Sequence, residues 1–194
     1  TCVRSDEFCK VFTPTGSKLK AVLLTSGSSM SQYSCSLYNY YTISNGGYLS
    51  FYLPPTPNEF EGFGQLDLSA ILPLKKQGAV EDFELFVYDK LTVREDEVYM
   101  FKLSLNEALA ISLMYIKVTI AWTDYPDEAS VSNANLVNNI DLQVIVVNDM
   151  TSESVTMNYG NDNSDAGLRS IPDTVNPVEQ VTLKAVPGYS YEIY

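Results

Sequence analysis

Alternation of apolar and polar positions dominates the second half of the chain. Ile116, Val118, Ile120 and Trp122 fall on one side of an extended segment, and Lys117 and Thr119 on the other. This predicts a strand over 115–122 with Trp122, the single tryptophan, buried at its end. Tyr99, Phe101, Leu103 and Leu105 alternate with Met100, Lys102 and Ser104 in the same way. Further strands are predicted at 83–88, 140–148, 153–158, 178–185 and 189–194, joined by Asn- and Asp-rich connections. That spacing fits an antiparallel sandwich or jelly roll. Residues 105–114 read either way, since Asn106 to Ala110 could begin a helical turn.

The first part of the chain has a different pattern. Ser17 to Ser26 reads as a short helix, with Ser17 as N-cap, Leu19, Val22, Leu23 and Ser26 as its stripe, and Gly27 just past its end. Residues 28–65 read as loop, rich in Ser, Tyr, Asn, Gly and Pro, with Pro54, Pro55 and Pro57 opposing regular structure. A tight turn at Gly62-Phe63-Gly64 then leads into a short apolar element, Leu66 to Leu72.

With 194 residues, the chain can hold one full domain or one domain and part of another. Fourteen Tyr and eight Phe, with many Thr, Val and Ser, favour strands over helices. The formal charge of −12 argues against nucleic acid or an anionic membrane as partner, because phosphates attract basic surfaces. No apolar run approaches the ~20 residues of a membrane span. The chain opens on Thr1-Cys2 and stops at Tyr194 within a predicted strand, so it reads as a segment of a longer protein. A Cys2–Cys9 bridge would suit a secreted protein, with Cys35 left over, to pair with either of them or with a residue outside the segment. There is no Asn-x-Ser/Thr sequon.

The absence of histidine is the sharpest exclusion. Ser-His-Asp and Cys-His catalysis both need an imidazole, and zinc sites with histidine ligands go with them. Gly27-Ser28-Ser29-Met30 looks like the Gly-Thr-Ser-Met nucleophile motif of subtilisin-like proteases. Here it closes a helix instead of opening one, so Ser29 reads as a helix end and loop. The carboxylates Asp124, Asp127, Glu128, Asp141, Asp162, Asp165, Asp173 and Glu179 could supply the acid and base of glycoside hydrolysis, without a motif to position them. Alternatively, Asp124 to Glu128, Asn139 with Asp141, and Asn161-Asp162-Asn163-x-Asp165 could donate oxygens to Ca²⁺. The competing reading is that Asn and Asp simply build turns there.

Six motifs in order resemble the C-terminal part of subtilisin-like serine proteases that carry a β-barrel after the catalytic domain. They are Ser17-Lys18-Leu19-Lys20-Ala21-Val22-Leu23-Leu24, Gly62-Phe63-Gly64-Gln65-Leu66-Asp67-Leu68, Trp122-Thr123-Asp124-Tyr125-Pro126, Leu136 to Leu142, Gly160-Asn161-Asp162, and Val175 to Val181. Pro187-Gly188-Tyr189-Ser190-Tyr191 is similar to the family's Gly-x-Tyr hairpin.

The resemblance implies a mainly β chain. Residues 80–194 would form an antiparallel jelly-roll sandwich, like a galactose-binding domain, cut before its last strands. Residues 1–75 would be the helical piece that completes an α/β subtilisin domain. It further implies the non-catalytic portion of a secreted or extracytoplasmic serine endopeptidase, with the triad upstream and peptide or protein substrates belonging to the parent. The barrel would stabilise the catalytic domain, with calcium held by Asp124, Asn139, Asp141, Asn161 and Asp162. Asn139 stands where the family has an acid, Pro177 where it has Asn, and 28–61 and 106–116 are longer than usual. Two rival readings are a carbohydrate- or protein-binding sandwich using Tyr38, Tyr40 and Tyr41, and a catalytically dead relative of the proteases.

Overall fold

The computed structural model describes residues 13–30, 32–36, 48–53, 56–58, 60–71, 84–105, 115–126, 136–162 and 172–194. These are mainly β, with antiparallel pairing throughout and one short α-helix. In chain order the elements are α1 (Gly16–Thr25), β1 (Gly27–Ser28), β2 (Gln32–Ser36), β3 (Tyr48–Tyr52), β4 (Gln65–Leu66), β5 (Phe101–Ser104), β6 (Tyr115–Ala121), β7 (Gln143–Asn148), β8 (Ser154–Tyr159), β9 (Val178–Lys184) and β10 (Tyr189–Ile193). A single 3₁₀ turn, Leu68–Ala70, follows β4.

Two sheets enclose the core. One has the order β5-β10-β7-β8, and the other pairs β6 with β9, with Val118 opposite Val181 and Ile120 opposite Glu179. Alternation sends Ile116, Val118 and Ile120 inward from β6, and Val181 and Leu183 inward from β9. They meet Leu142, Val144 and Tyr191 of the larger sheet in one apolar cluster. Tyr191 is buried with its ring in this cluster, and its hydroxyl accepts from Val186 N at 2.8 Å.

The outward face of β6–β9 is not left to water, because α1 lies on it. Thr25 Oγ1 hydrogen-bonds Thr119 Oγ1 at 2.9 Å, and Lys117 Nζ donates to the Gly27 carbonyl. Gln180 Nε2 donates to both Thr119 Oγ1 and the Leu24 carbonyl, at 2.8 and 3.2 Å. A polar seam therefore joins helix and sheet where the strand alternation places Lys117, Thr119 and Gln180 together.

The helix differs from expectation in three ways. Thr15, not Ser17, caps it, accepting from Lys18 N at 3.1 Å and donating to Asp89 Oδ1 at 2.7 Å. Ser17 instead reaches Thr123 beyond β6. Leu19 and Leu23 of the expected stripe face outward, half exposed, because the sheet presents hydroxyl and amide groups to the helix. Gly27 is where expected, but it serves close approach: a Cβ there would lie 2.1 Å from the Phe63 carbonyl oxygen. Gly64, at φ +88°, approaches Ser28 O in return.

Two further expectations are corrected. The span 28–65 is not all loop, since β2 and β3 pair within it with Cys35 opposite Leu49. Residues 84–88 join no sheet, and the Tyr88 ring lies 4.8 Å from that of Phe101. Strands β6 to β10 lie within a few residues of their predicted ranges.

Candidate functional site

The acidic loops gather at the end of the two sheets where β6 finishes and β7 and β9 begin. Trp122 follows β6 and is half-buried instead of enclosed; its backbone N–H donates to Pro177 O and its indole N–H to Asn138 O at 3.0 Å. Asp124 reaches the same loop, accepting from Val137 N at 2.7 Å, Asn138 N at 3.0 Å and Asn138 Nδ2 at 2.8 Å. Burial pushes its carboxyl up, but these bonds outweigh it and hold the group below its ordinary value. Chemically, Asp124 is a clamp that closes the loop onto the end of β6.

Asp173 plays the same part on the next loop. Its oxygens accept from Val175 N, Asn176 N, Asn176 Nδ2 and Asn161 Nδ2. Burial is opposed here by side-chain and backbone donors, and the carboxyl again lies below its ordinary value. Asn161, at φ +58°, takes the left-handed conformation that Asn tolerates. Its amide donates to Asp173 and to Val178 O, while its Oδ1 accepts from Gln180 N at 3.0 Å. Asp162 continues the turn with its N–H on Tyr159 O. Asn139 Nδ2 donates to Asp141 Oδ1 at 3.0 Å, within one exposed stretch.

Glu179 is the exception among these acids. Counting by twos from Val181 puts it on the inner face of β9, and only 1 % of it is exposed. Oε2 accepts from Leu142 N at 2.7 Å, which ties β9 to the residues leading into β7. Oε1 has no partner. Burial, opposed by the Leu142 N–H and reinforced by Asp141 and Asp173, pushes this carboxyl up to about 7. A charged residue in phase with the inward positions of its strand was the signal for it, and the calcium set does not include it.

That set, Asp124, Asn139, Asp141, Asn161 and Asp162, offers the oxygens that Ca²⁺ takes. Asp124 is engaged by three N–H groups, and Asn161 uses its oxygen and its amide on protein groups. Among the described residues, no three acidic or cysteine side chains gather where they could hold a metal ion. Among the described residues, Asp124, Asp141 and Asn161 act as acceptors for backbone and amide N–H groups. Asp127, Glu128, Asn163 and Asp165 lie outside the described residues, as do Tyr38, Tyr40, Tyr41, Cys2 and Cys9.

Ser29 is exposed, and its hydroxyl donates to Glu61 Oε1 at 2.9 Å. Glu61 also takes Met30 N and Asn58 Nδ2. Burial raises the Glu61 carboxyl, but these donors prevail and hold it below its ordinary value, so it makes a poor base for Ser29. The triad of groups is a loop tie.

Among the described residues, no helix is long and apolar enough to cross a membrane. No protein-family model matches the chain, and no curated protein matches it either.

Proposed function

We propose that this chain is the C-terminal, non-catalytic portion of a subtilisin-like serine endopeptidase, in which a jelly-roll barrel built from β5 to β10 stabilises the end of the catalytic domain. The observation that carries the reading is the seam between α1 and the outer face of β6–β9. The helix whose sequence resembles the last helix of such proteases is fixed to the barrel by Gln180, Thr119 and Lys117.

Three features support it further. The interlock of Gly27 with Phe63 and of Gly64 with Ser28 gives the Gly-Phe-Gly turn a packing role next to that helix. The chain lacks the histidine that a triad requires, and Ser29 is tied to Glu61, which suits a segment that does not itself cleave peptides. The Trp-Thr-Asp-Tyr-Pro and Leu-Val-Asn-Asn-Ile-Asp motifs meet through Asp124, Trp122 and Asn138. In this reading peptide substrates and a secreted or extracytoplasmic setting belong to the parent, and stabilisation proceeds by packing, with calcium bound at the end loops as a further contribution.

The test weakens the seam in the parent protease. Thr119→Val with Gln180→Leu should speed thermal inactivation and autolysis while leaving the barrel's own strands folded. Inactivation at the wild-type rate, with the helix amides equally protected from exchange, would remove the stabiliser role.

A further inference from the structure

We propose that Glu179 is a proton-operated latch between the two sheets: protonated, it holds the start of β9, the residues leading into β7 and the Gly160 turn together, and ionised, it loosens that end of the sandwich. The inference does not depend on the protease reading.

The geometry carries it. Glu179 is enclosed by three segments that share no continuous strand. Ile120 of β6 stands opposite it in register. Leu142 N binds its Oε2. Gly160 passes so close that a Cβ there would lie 2.2 Å from Oε2 and 2.5 Å from the Glu179 Cβ. The Gly160 N–H in turn donates to Leu142 O at 2.8 Å, so Leu142 is gripped by both segments.

Among the described residues, the charges that act on the carboxyl oppose its ionisation. Asp141 acts on it from the lead-in to β7 and Asp173 from the loop before β9. Asp162 closes the turn that Gly160 opens. From β6 the facing residue is Ile120, and Lys117 is turned to the opposite face, on the Gly27 carbonyl. On β9 the neighbouring Gln180 is likewise turned away, to Leu24 and Thr119.

Comparison with Asp173 decides the protonation state. Asp173 accepts from four donors and stays ionised despite its burial. Glu179 accepts from one, more deeply buried and beside two other carboxylates. A buried carboxylate with one oxygen unpaired is costly. The proton, drawn from solvent, sits on Oε1, leaving Oε2 free to accept from Leu142. Because the chain has no histidine, no other side chain has its ordinary transition between the carboxylate and cysteine ranges. Beside the latch, the terminal amine is the group whose ordinary transition falls near the upper end of that interval.

The test is the melting temperature of the full 194-residue chain from pH 5 to 8, for wild type, Glu179→Gln and Asp141→Asn. Wild type is expected to lose several degrees across the interval. Glu179→Gln should be nearly flat, and Asp141→Asn should show a smaller decline that ends at lower pH. A wild-type decline retained in Glu179→Gln overturns the proposal, as does a pH-independent wild type. Should Glu179→Gln not fold, Asp141→Asn decides: a decline of unchanged size and position overturns the latch.

Discussion

Gln180 Nε2 donates to Thr119 Oγ1 at 2.8 Å across the β6–β9 pair, and the same amide reaches the Leu24 carbonyl on α1. One side chain thus bonds a strand to its neighbour and both to the helix. The seam is polar, so its strength depends on every donor finding its acceptor. Thr119→Val leaves the Gln180 amide short of one acceptor and Thr25 with its bond to the Ala21 carbonyl alone. The expected loss is about 1–3 kcal/mol, the range for an unmade buried hydrogen bond. Thr25→Val should cost less once Thr119 is already Val, because the two hydroxyls share one bond. Denaturant unfolding of the two single variants and the double variant checks this. Strict additivity would show that the hydroxyls do not couple.

Removing Asp124 should free the loop that follows β6 without unfolding the core. Its three donors, Val137 N, Asn138 N and Asn138 Nδ2, all belong to the loop before β7, and Asn138 O also holds the Trp122 indole. In Asp124→Ala the single tryptophan should emit further to the red and become more accessible to a neutral quencher. Far-ultraviolet dichroism should stay that of the wild type. Unchanged tryptophan emission would show that the clamp does not set the Trp122 environment.

Gly64→Ala should destabilise the chain more than Gly62→Ala, although both glycines have positive φ. At Gly62 an added Cβ meets nothing within 4 Å, so only the backbone conformation opposes it, at roughly 1 kcal/mol or somewhat more. At Gly64 the Cβ would also lie 2.4 Å from the Ser28 carbonyl oxygen, which is backbone and cannot turn aside. The two midpoints of thermal unfolding check the order, and equal losses would show that β1 and the turn do not touch.

Most of the strand framework was legible because period-two alternation survives wherever one sheet face meets a core. Ile116, Val118 and Ile120 announce β6, and their partners Val181 and Leu183 announce β9. What the alternation could not say is what lies on the other face. Lys117, Thr119 and Gln180 look like solvent-facing residues, yet they meet α1, and for the same reason Leu19 and Leu23 face outward. The pair β2–β3 stayed hidden because its segments are rich in Ser and Tyr and lack a clear apolar phase. The acids of the end loops were visible as a group. Their use was not, since an Asp that binds a cation and an Asp that binds N–H groups have the same spacing in sequence. Backbone donors decide between them, and backbone donors leave no trace in residue type.

The acid side of the stability profile should belong to the clamps. Asp124 and Asp173 are held below their ordinary value of 3.8, because donors that favour the charged form outweigh burial. The unfolded chain therefore binds protons on these groups at higher pH than the folded chain does. Their stabilisation is present above about pH 4 and is lost as pH falls through the depressed folded values. Glu179 has the opposite sign: the folded carboxyl, at about 7, holds its proton where the unfolded one, near 4.5, has released it. Its contribution is complete below the unfolded value and declines as pH rises towards 7. The two effects place greatest stability at about pH 4–5, more acidic than is common. Asp173→Asn should flatten the fall below pH 4, since an amide keeps an acceptor oxygen but cannot titrate. Melting temperatures from pH 2.5 to 5 measure it. An Asp173→Asn curve that drops with the wild-type slope would assign the acid limb to other carboxylates.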